Sequence, residues 1–235
     1  MIIAANFKTN HTRKSTKEYI ETLDKYVSSL KNDDRVLVFP PSTALDKFNL
    51  TENISIGVQN AYPVEKGSFT GEIGLEQIEE FKIDTTLIGH SERRHVLGES
   101  QDEVREKYTF FKSKGFQIVY CIGEPKEVRE QGIEAVMAYN FSQLEGIDLE
   151  YENLIIAYEP VWAIGTGLTA SNEQIEETLA LLKNKIKSPI LYGGSVKVAN
   201  TKEILEIKNC DGILVGTASW DVDAFCQMIE IADNI

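Results

Sequence analysis

Short apolar runs recur along the chain, set apart by longer segments of mixed polarity. They fall at residues 2–7, 36–39, 54–58, 86–88, 118–122, 154–158, 190–192 and 213–215. Short runs of this kind, bounded by turn-forming or polar residues, predict fully buried strands. The segments between most of them carry a helical period. In 15–30, Tyr19, Leu23, Tyr26, Val27 and Leu30 fall on one face of a helix. Segments 102–112, 173–186 and 199–207 repeat the pattern, and 222–231 predicts a closing helix. The stretches after Pro41 and after the third run are less regular.

Strands that alternate with helices predict a parallel sheet with helices outside. Eight such units in 235 residues predict a (β/α)8 barrel, an α/β fold with an eight-stranded parallel barrel and outer helices. A doubly wound open sheet is the alternative. Its nucleotide signature, a GxGxxG turn after the first strand, is missing. No Pro/Gly/Ser-rich linker and no shift in composition divides the chain, so residues 1–235 are expected to form one domain.

Charge narrows the partners. Lys plus Arg number 24 against 37 Asp plus Glu, a net charge of −13. So acidic a surface argues against nucleic acid or an anionic membrane as a general partner. A small anionic substrate stays open, because one local site can be positive on a negative protein. No apolar run approaches the roughly 18 residues of a membrane-spanning helix. The first ten residues, MIIAANFKTN, lack the basic and long apolar regions of a signal peptide. The three cysteines, Cys121, Cys210 and Cys226, form no CxxC pair. That usage fits a reduced, cytoplasmic protein with no zinc site.

In a barrel the active site gathers at the C-terminal ends of the strands. Asn6 and Lys8 follow the first run, and His90, Ser91 and Glu92 the fourth. Cys121 and Glu124 come at the fifth, and Glu159 at the sixth. Gly193, Gly194 and Ser195 follow the seventh, Gly216 and Thr217 the eighth. Singly, each has a plain structural explanation: a salt-bridged lysine, a hydrogen-bonded loop histidine, a strand-end glutamate, a turn. Cys121 reads as a packed thiol. Jointly, an amide, a cation, an imidazole and a carboxylate share one rim with two small-residue turns.

Small residues let backbone N–H groups approach a phosphate closely, and the loops after strands seven and eight are the usual phosphate position in this fold. A phosphorylated small molecule is therefore expected. The missing GxxxxGK[ST] pattern argues against an NTPase. Glu159 can then take a proton from carbon, while Lys8, His90 and Asn6 meet the oxygen where negative charge develops. No cofactor motif and no metal-ligand cluster is visible in the sequence, so the expected chemistry is cofactor-free proton abstraction beside a carbonyl.

Several ordered motifs carry a resemblance over essentially the whole length. They are NFK at 6–8, QNAYPVEKGSFTGEIG at 59–74, GHSERR at 89–94, CIGE at 121–124, AYEPVWAIGTG at 157–167, YGGSV at 192–196 and GILVGTASW at 212–220. With these the chain closely resembles the triosephosphate isomerase family. The resemblance implies interconversion of dihydroxyacetone phosphate and glyceraldehyde 3-phosphate, in glycolysis and gluconeogenesis. It implies Glu159 as the base of an enediolate mechanism and His90 as a neutral-imidazole electrophile, as established for that family. It further implies Lys8 and Asn6 on the substrate oxygens and Glu92 as the partner of Lys8. Gly165, Ser195, Gly216 and Thr217 become phosphate contacts. By the same resemblance 161–170 is a mobile lid, held open through Glu124 and Trp162 and latched shut by Tyr192. The loop 59–74 inserts into a partner subunit, with Thr70 reaching the partner's Asn6 and Lys8, so a homodimer is implied.

The chain also departs from the family pattern. Phe7 stands for a usual Trp, Ala5 for a usual Gly, Leu168 for a common Lys at the lid hinge, and Thr217 for a common Gly. The stretch between the lid and YGGSV is shorter than is typical, which predicts a trimmed sixth helix or exit loop. Two other readings compete: another phosphate-binding barrel, such as a sugar-phosphate isomerase of amino-acid biosynthesis, and a barrel that has lost catalysis and serves as a binding scaffold. The first would not need Lys8, His90 and Glu159 together. The second is disfavoured by the presence of both base and lysine.

Overall fold

The computed structural model describes residues 1–30, 34–164 and 169–235. Among them are eight parallel strands in one sheet: β1 (Ile2–Asn6), β2 (Arg35–Phe39), β3 (Ile54–Ile56), β4 (Thr85–Ile88), β5 (Gln117–Ile122), β6 (Leu154–Tyr158), β7 (Ile190–Tyr192) and β8 (Gly212–Val215). The hydrogen-bonded order runs β3-β2-β1-β8-β7-β6-β5-β4. The seam between β3 and β4 is drawn together at Val58, whose N–H donates to Thr85 O and whose carbonyl accepts from Leu87 N, both at 2.9 Å. The nearly closed barrel rules out the open-sheet alternative.

Around the strands lie α1 (Arg13–Val27), α2 (Leu75–Glu79), α3 (Ser91–His95), α4 (Gln101–Ser113), α5 (Lys126–Arg129), α6 (Ile133–Ser142), α7 (Asn172–Lys183), α8 (Val198–Leu205) and α9 (Val222–Asp233). Side chains stop several of the long helices at their N-termini. Thr12 with Ser15, Ser100 with Glu103, and Ser171 with Gln174 form capping boxes, and Asp221 accepts from Ala224 N. The irregular stretch after Pro41 is a single 3-10 turn, Ser42–Ala44. Helix α6 has no clear sequence signal because its apolar residues are spread around the helix rather than gathered on one stripe.

The core divides by strand parity. Ile2, Ala4, Leu37, Phe39, Leu87, Val119, Cys121, Ile155, Ala157, Leu191 and Leu214 form one buried cluster, the barrel interior. The alternate residues, among them Ile3, Ala5, Val36, Val38, Ile118, Tyr120, Ile156, Tyr158, Ile213 and Val215, join the helices in a second. Successive strand residues point to opposite faces, and a barrel with helices outside buries both. That is why the strands read as unbroken apolar runs.

Candidate active site

Strand parity also places the site. Asn6 continues the inward series of Ile2 and Ala4, and Glu159 continues that of Ile155 and Ala157. Gly193 and Gly216 follow Leu191 and Leu214 in the same way. Where the inward series meets the barrel mouth, it changes from apolar to polar or small. Asn6, Lys8, His90, Glu159, Ser195, Gly216 and Thr217 thus line one cavity of about 380 Å³.

Glu159 is buried, at 3% exposure. Its Oε1 lies 3.1 Å from His90 Nε2, and its Oε2 accepts from Ser91 N at 3.2 Å. Burial pushes the Glu159 carboxyl up. The charge of His90, the hydrogen bonds from His90 and Ser91, and the charge of Lys8 together outweigh burial, so the group sits below the ordinary glutamate value. Burial pushes the His90 imidazole down, while the charge and hydrogen bond of Glu159 and the charge of Glu92 raise it; the net direction is up. The two shifts describe one proton shared across a coupled pair. On the far side of the ring, Nδ1 accepts from Glu92 N at 3.3 Å. A nitrogen that accepts carries no proton, so in the neutral form of the ring the hydrogen belongs on Nε2, facing Glu159.

Lys8 has a φ of +52°, in the left-handed region that side chains avoid. Such a residue costs on the order of 1–3 kcal/mol and needs its neighbours to hold it. Asn6 Oδ1 accepts from Lys8 N at 3.0 Å, and Gln59 Nε2 donates to Lys8 O and to Phe39 O, each at 2.8 Å. The Lys8 ammonium pairs with Glu92 Oε1 at 2.5 Å. A Cβ on Gly216 would lie 3.2 Å from Lys8 Cε, so the lysine stem packs directly on the eighth-strand turn.

Among the described residues, the backbone N–H groups of Ser195, Gly216 and Thr217 donate to no protein acceptor. The first turn is held from outside, since Asn200 Nδ2 donates to Ser195 O at 3.0 Å while its Oδ1 accepts from Lys197 N at 2.7 Å. Thr217 opens a 3-10 turn without a positive φ, as its β-branched side chain demands. Three N–H donors without a partner among the described residues at one end of a pocket, an ammonium beside them and a buried imidazole–carboxylate pair at the other end suit an anion bearing a carbonyl.

The family model for triosephosphate isomerase matches residues 1–232. The chain belongs to the triosephosphate isomerase family. A triosephosphate isomerase of a Sulfurovum species is 59% identical over 97% of this chain and 99% of its own. One of a Nitratiruptor species is 58% identical over 100% of both, and one of Wolinella succinogenes 56% identical over 98% and 99%. The full-length match to the second relative means that the short stretch before YGGSV lies within a length the two chains share.

Four residues singled out in the sequence are not among those lining the cavity. Gly165 and Leu168 lie outside the described residues. Thr70 is exposed on its loop and does not line this cavity. Glu92 acts on the site through Lys8 and His90. Cys121 is fully buried against Glu159, and burial first, then the glutamate charge, hold its thiol well above the usual range. It is the packed thiol expected.

Sequence reasoning misses the anchors. Gln59 reads only as the start of a loop, and neither Asn200 nor the Ser91 N–H stands out as a support. Arg94 fixes the fourth-strand end, donating to Gly89 O at 2.7 Å and to Cys121 O at 3.3 Å. The Gln59, Ser91 and Arg94–Cys121 bonds span 20 to 68 residues, so no local spacing announces them, whereas those of Asn200 and of Arg94 to Gly89 are local.

Proposed function

We propose that this chain interconverts dihydroxyacetone phosphate and glyceraldehyde 3-phosphate by proton transfer through an enediolate, a step of glycolysis and, in reverse, of gluconeogenesis. Membership of the family supports the reaction. The observation that carries it to these residues is the single cavity in which Glu159, His90, Lys8 and the free N–H groups meet.

The substrate phosphate takes the N–H groups of Ser195, Gly216 and Thr217, with Gly165 added by the lid. Glu159 leaves its hydrogen bond to Ser91 N and removes a proton from the carbon beside the carbonyl. The C–H electrons form the carbon–carbon double bond, and negative charge develops on the former carbonyl oxygen. Lys8, His90 Nε2–H and Asn6 meet that charge. The hydroxyl proton on the neighbouring carbon crosses to the former carbonyl oxygen by way of His90 Nε2, Glu159 returns its proton to the adjacent carbon, and the new carbonyl forms on the carbon that lost its hydrogen. Because the acid, the base and the electrostatic partners all belong to the chain, the reaction asks for no cofactor. The larger part of the upward pull on His90 comes from the Glu159 carboxylate, which moves away, whereas the Glu92 N–H at Nδ1 stays. Substrate binding therefore favours the neutral imidazole, a donor whose proton affinity matches an enediolate more closely than that of the imidazolium.

The lid, 161–170, is read as excluding water while the enediolate exists. Its described start is tied down: Trp162 Nε1 donates to Glu124 Oε1 at 3.0 Å, and Tyr158 Oη donates to the same oxygen at 3.1 Å. The Tyr192 hydroxyl is buried with no hydrogen-bond partner among the described residues. An orphaned buried hydroxyl costs about 1–3 kcal/mol, which a latch to the closed lid would recover.

The chain is further read as one barrel domain over 1–235, acting in the cytoplasm as a homodimer. Three free, buried cysteines suit a reducing compartment. No helix among the described residues is long and apolar enough to cross a membrane. A groove of about 770 Å³ adjoins Asn6 and Lys8. Near it Leu97 and Val96 stand 66% and 75% exposed, and Phe69, 43% exposed, stacks on Tyr62 at 4.7 Å near the tip of loop 59–74. Apolar side chains left this open mark an interface. In this reading each subunit's loop fills the other's groove and brings Thr70 to the partner's Asn6 and Lys8.

The test is a coupled isomerase assay on purified protein beside Glu159→Gln. Turnover of glyceraldehyde 3-phosphate that drops by at least about 10²-fold in the variant supports the assignment. Equal rates would remove Glu159 from the reaction, and no wild-type turnover would leave a phosphate-binding scaffold.

A further inference from the structure

Phe7, His11 and Tyr19 form a three-ring stack beside the site. The ring centroids of Phe7 and Tyr19 are 4.7 Å apart at 70°, those of Phe7 and His11 4.6 Å at 41°, and those of His11 and Tyr19 5.5 Å at 71°. His11, like Lys8, has a left-handed backbone, with φ +70°. The stack thus clamps a loop that is strained at both ends, with Lys8 between Phe7 and His11. Edge-on aromatic pairs favour such fixed mutual orientations.

Tyr19 also faces the other way. From α1 its hydroxyl donates to Ser219 O at 2.7 Å, in the buried interior, across 200 residues of sequence. The Ser219 hydroxyl in turn reaches Gly216 O at 2.8 Å and Val215 O at 3.1 Å, and Ser219 N donates to Gly216 O at 2.8 Å. Gly216 and Thr217 carry two of the free N–H donors. Burial raises the Tyr19 phenol, so it stays a protonated donor at neutral pH. One side chain therefore touches both the loop that holds Lys8 and the turn that offers N–H groups to an anion.

We infer that Tyr19 is a positioning residue for the anion site: its ring holds the Lys8 loop and its hydroxyl holds the Gly216–Thr217 turn, fixing the distance between the ammonium and the backbone donors. This rests on the proposed reading of that turn as the phosphate site. Tyr19 touches no substrate; it acts through Ser219 and Phe7.

The experiment compares wild type with Tyr19→Phe, which keeps the ring and removes the hydroxyl. Steady-state kinetics with dihydroxyacetone phosphate and calorimetric binding of inorganic phosphate are both measured. KM and the phosphate Kd should rise together by about fivefold, the scale of one neutral hydrogen bond. The chemical step should hardly change, with kcat within about twofold. Ser219→Ala, which removes the inner tie of the same turn, should repeat that pattern and decides the matter if the first variant does not fold. A lower Tm with unchanged KM and phosphate Kd would make Tyr19 a stabilising residue only and overturn the inference. So would a fall in kcat without a change in phosphate binding. The calorimetric arm needs no turnover. A wild type that binds phosphate without isomerising anything would sink the proposed function while the Kd ratio still judged Tyr19.

Discussion

A Cβ added to Gly193 would lie 2.8 Å from Cγ of Glu159. The seventh-strand turn therefore leaves the base its space. Gly193 is not in the left-handed region, so alanine suits its backbone, and the clash falls on the glutamate side chain. Gly193→Ala should fold with a lowered Tm, because the buried Cγ of Glu159 has to give way, and should displace the carboxylate. Displacement approaching 1 Å costs on the order of 10²-fold. Steady-state kinetics should show the loss in kcat; a variant as fast as wild type would mean that Glu159 has room to spare.

Glu159→Asp makes the complementary change by withdrawing the carboxylate roughly one methylene. The same geometric sensitivity predicts a kcat lower by on the order of 10²-fold, with KM little altered. A kcat within about threefold of wild type is the outcome that removes Glu159 from the role of base.

Strand parity explains why so much of this is legible in the sequence. Both faces of each strand are buried, so the runs stand out, and the first polar residue past each run falls at the barrel mouth. Leu154–Tyr158 ending at Glu159 is the clearest case. The supports are not legible. Gln59 holds Lys8 O from 51 residues away, and Tyr19 holds Ser219 O from 200. Their bonds depend on closure of the barrel, which no local pattern encodes. Thr217 is partly readable: its branching alone disfavours a positive φ, and the turn has none there.

His90 holds Glu159 in its low range, so removing the imidazole predicts a direction. In His90→Asn the charge and hydrogen bond that lower the carboxyl are lost, and burial, which raises it, remains. A base must be deprotonated to act, so kcat/KM falls as pH drops through its pKa. The acid limb of the pH profile should therefore move to higher pH. The kcat itself should fall by about 10²–10³-fold, the scale of a lost oxyanion donor. An acid limb that stays put, or moves lower, would show that His90 does not set the Glu159 protonation.

Deleting residues 66–70 tests the assembly. The exposed Phe69 leaves with them, so light scattering should find monomers rather than dimers. Activity should drop as well, because Lys8 would lose the support proposed to come from the partner's loop. A fully active monomer would contradict the reading of loop 59–74.

Proton transfer through an enediolate is the central claim, and isomerisation in D2O followed by proton NMR tests it most directly. A proton held on Glu159 between two carbons can exchange with solvent, so part of the product should carry deuterium on the carbon beside its carbonyl. Product formed at full rate and free of deuterium throughout would indicate direct hydrogen transfer between the carbons and would contradict the mechanism.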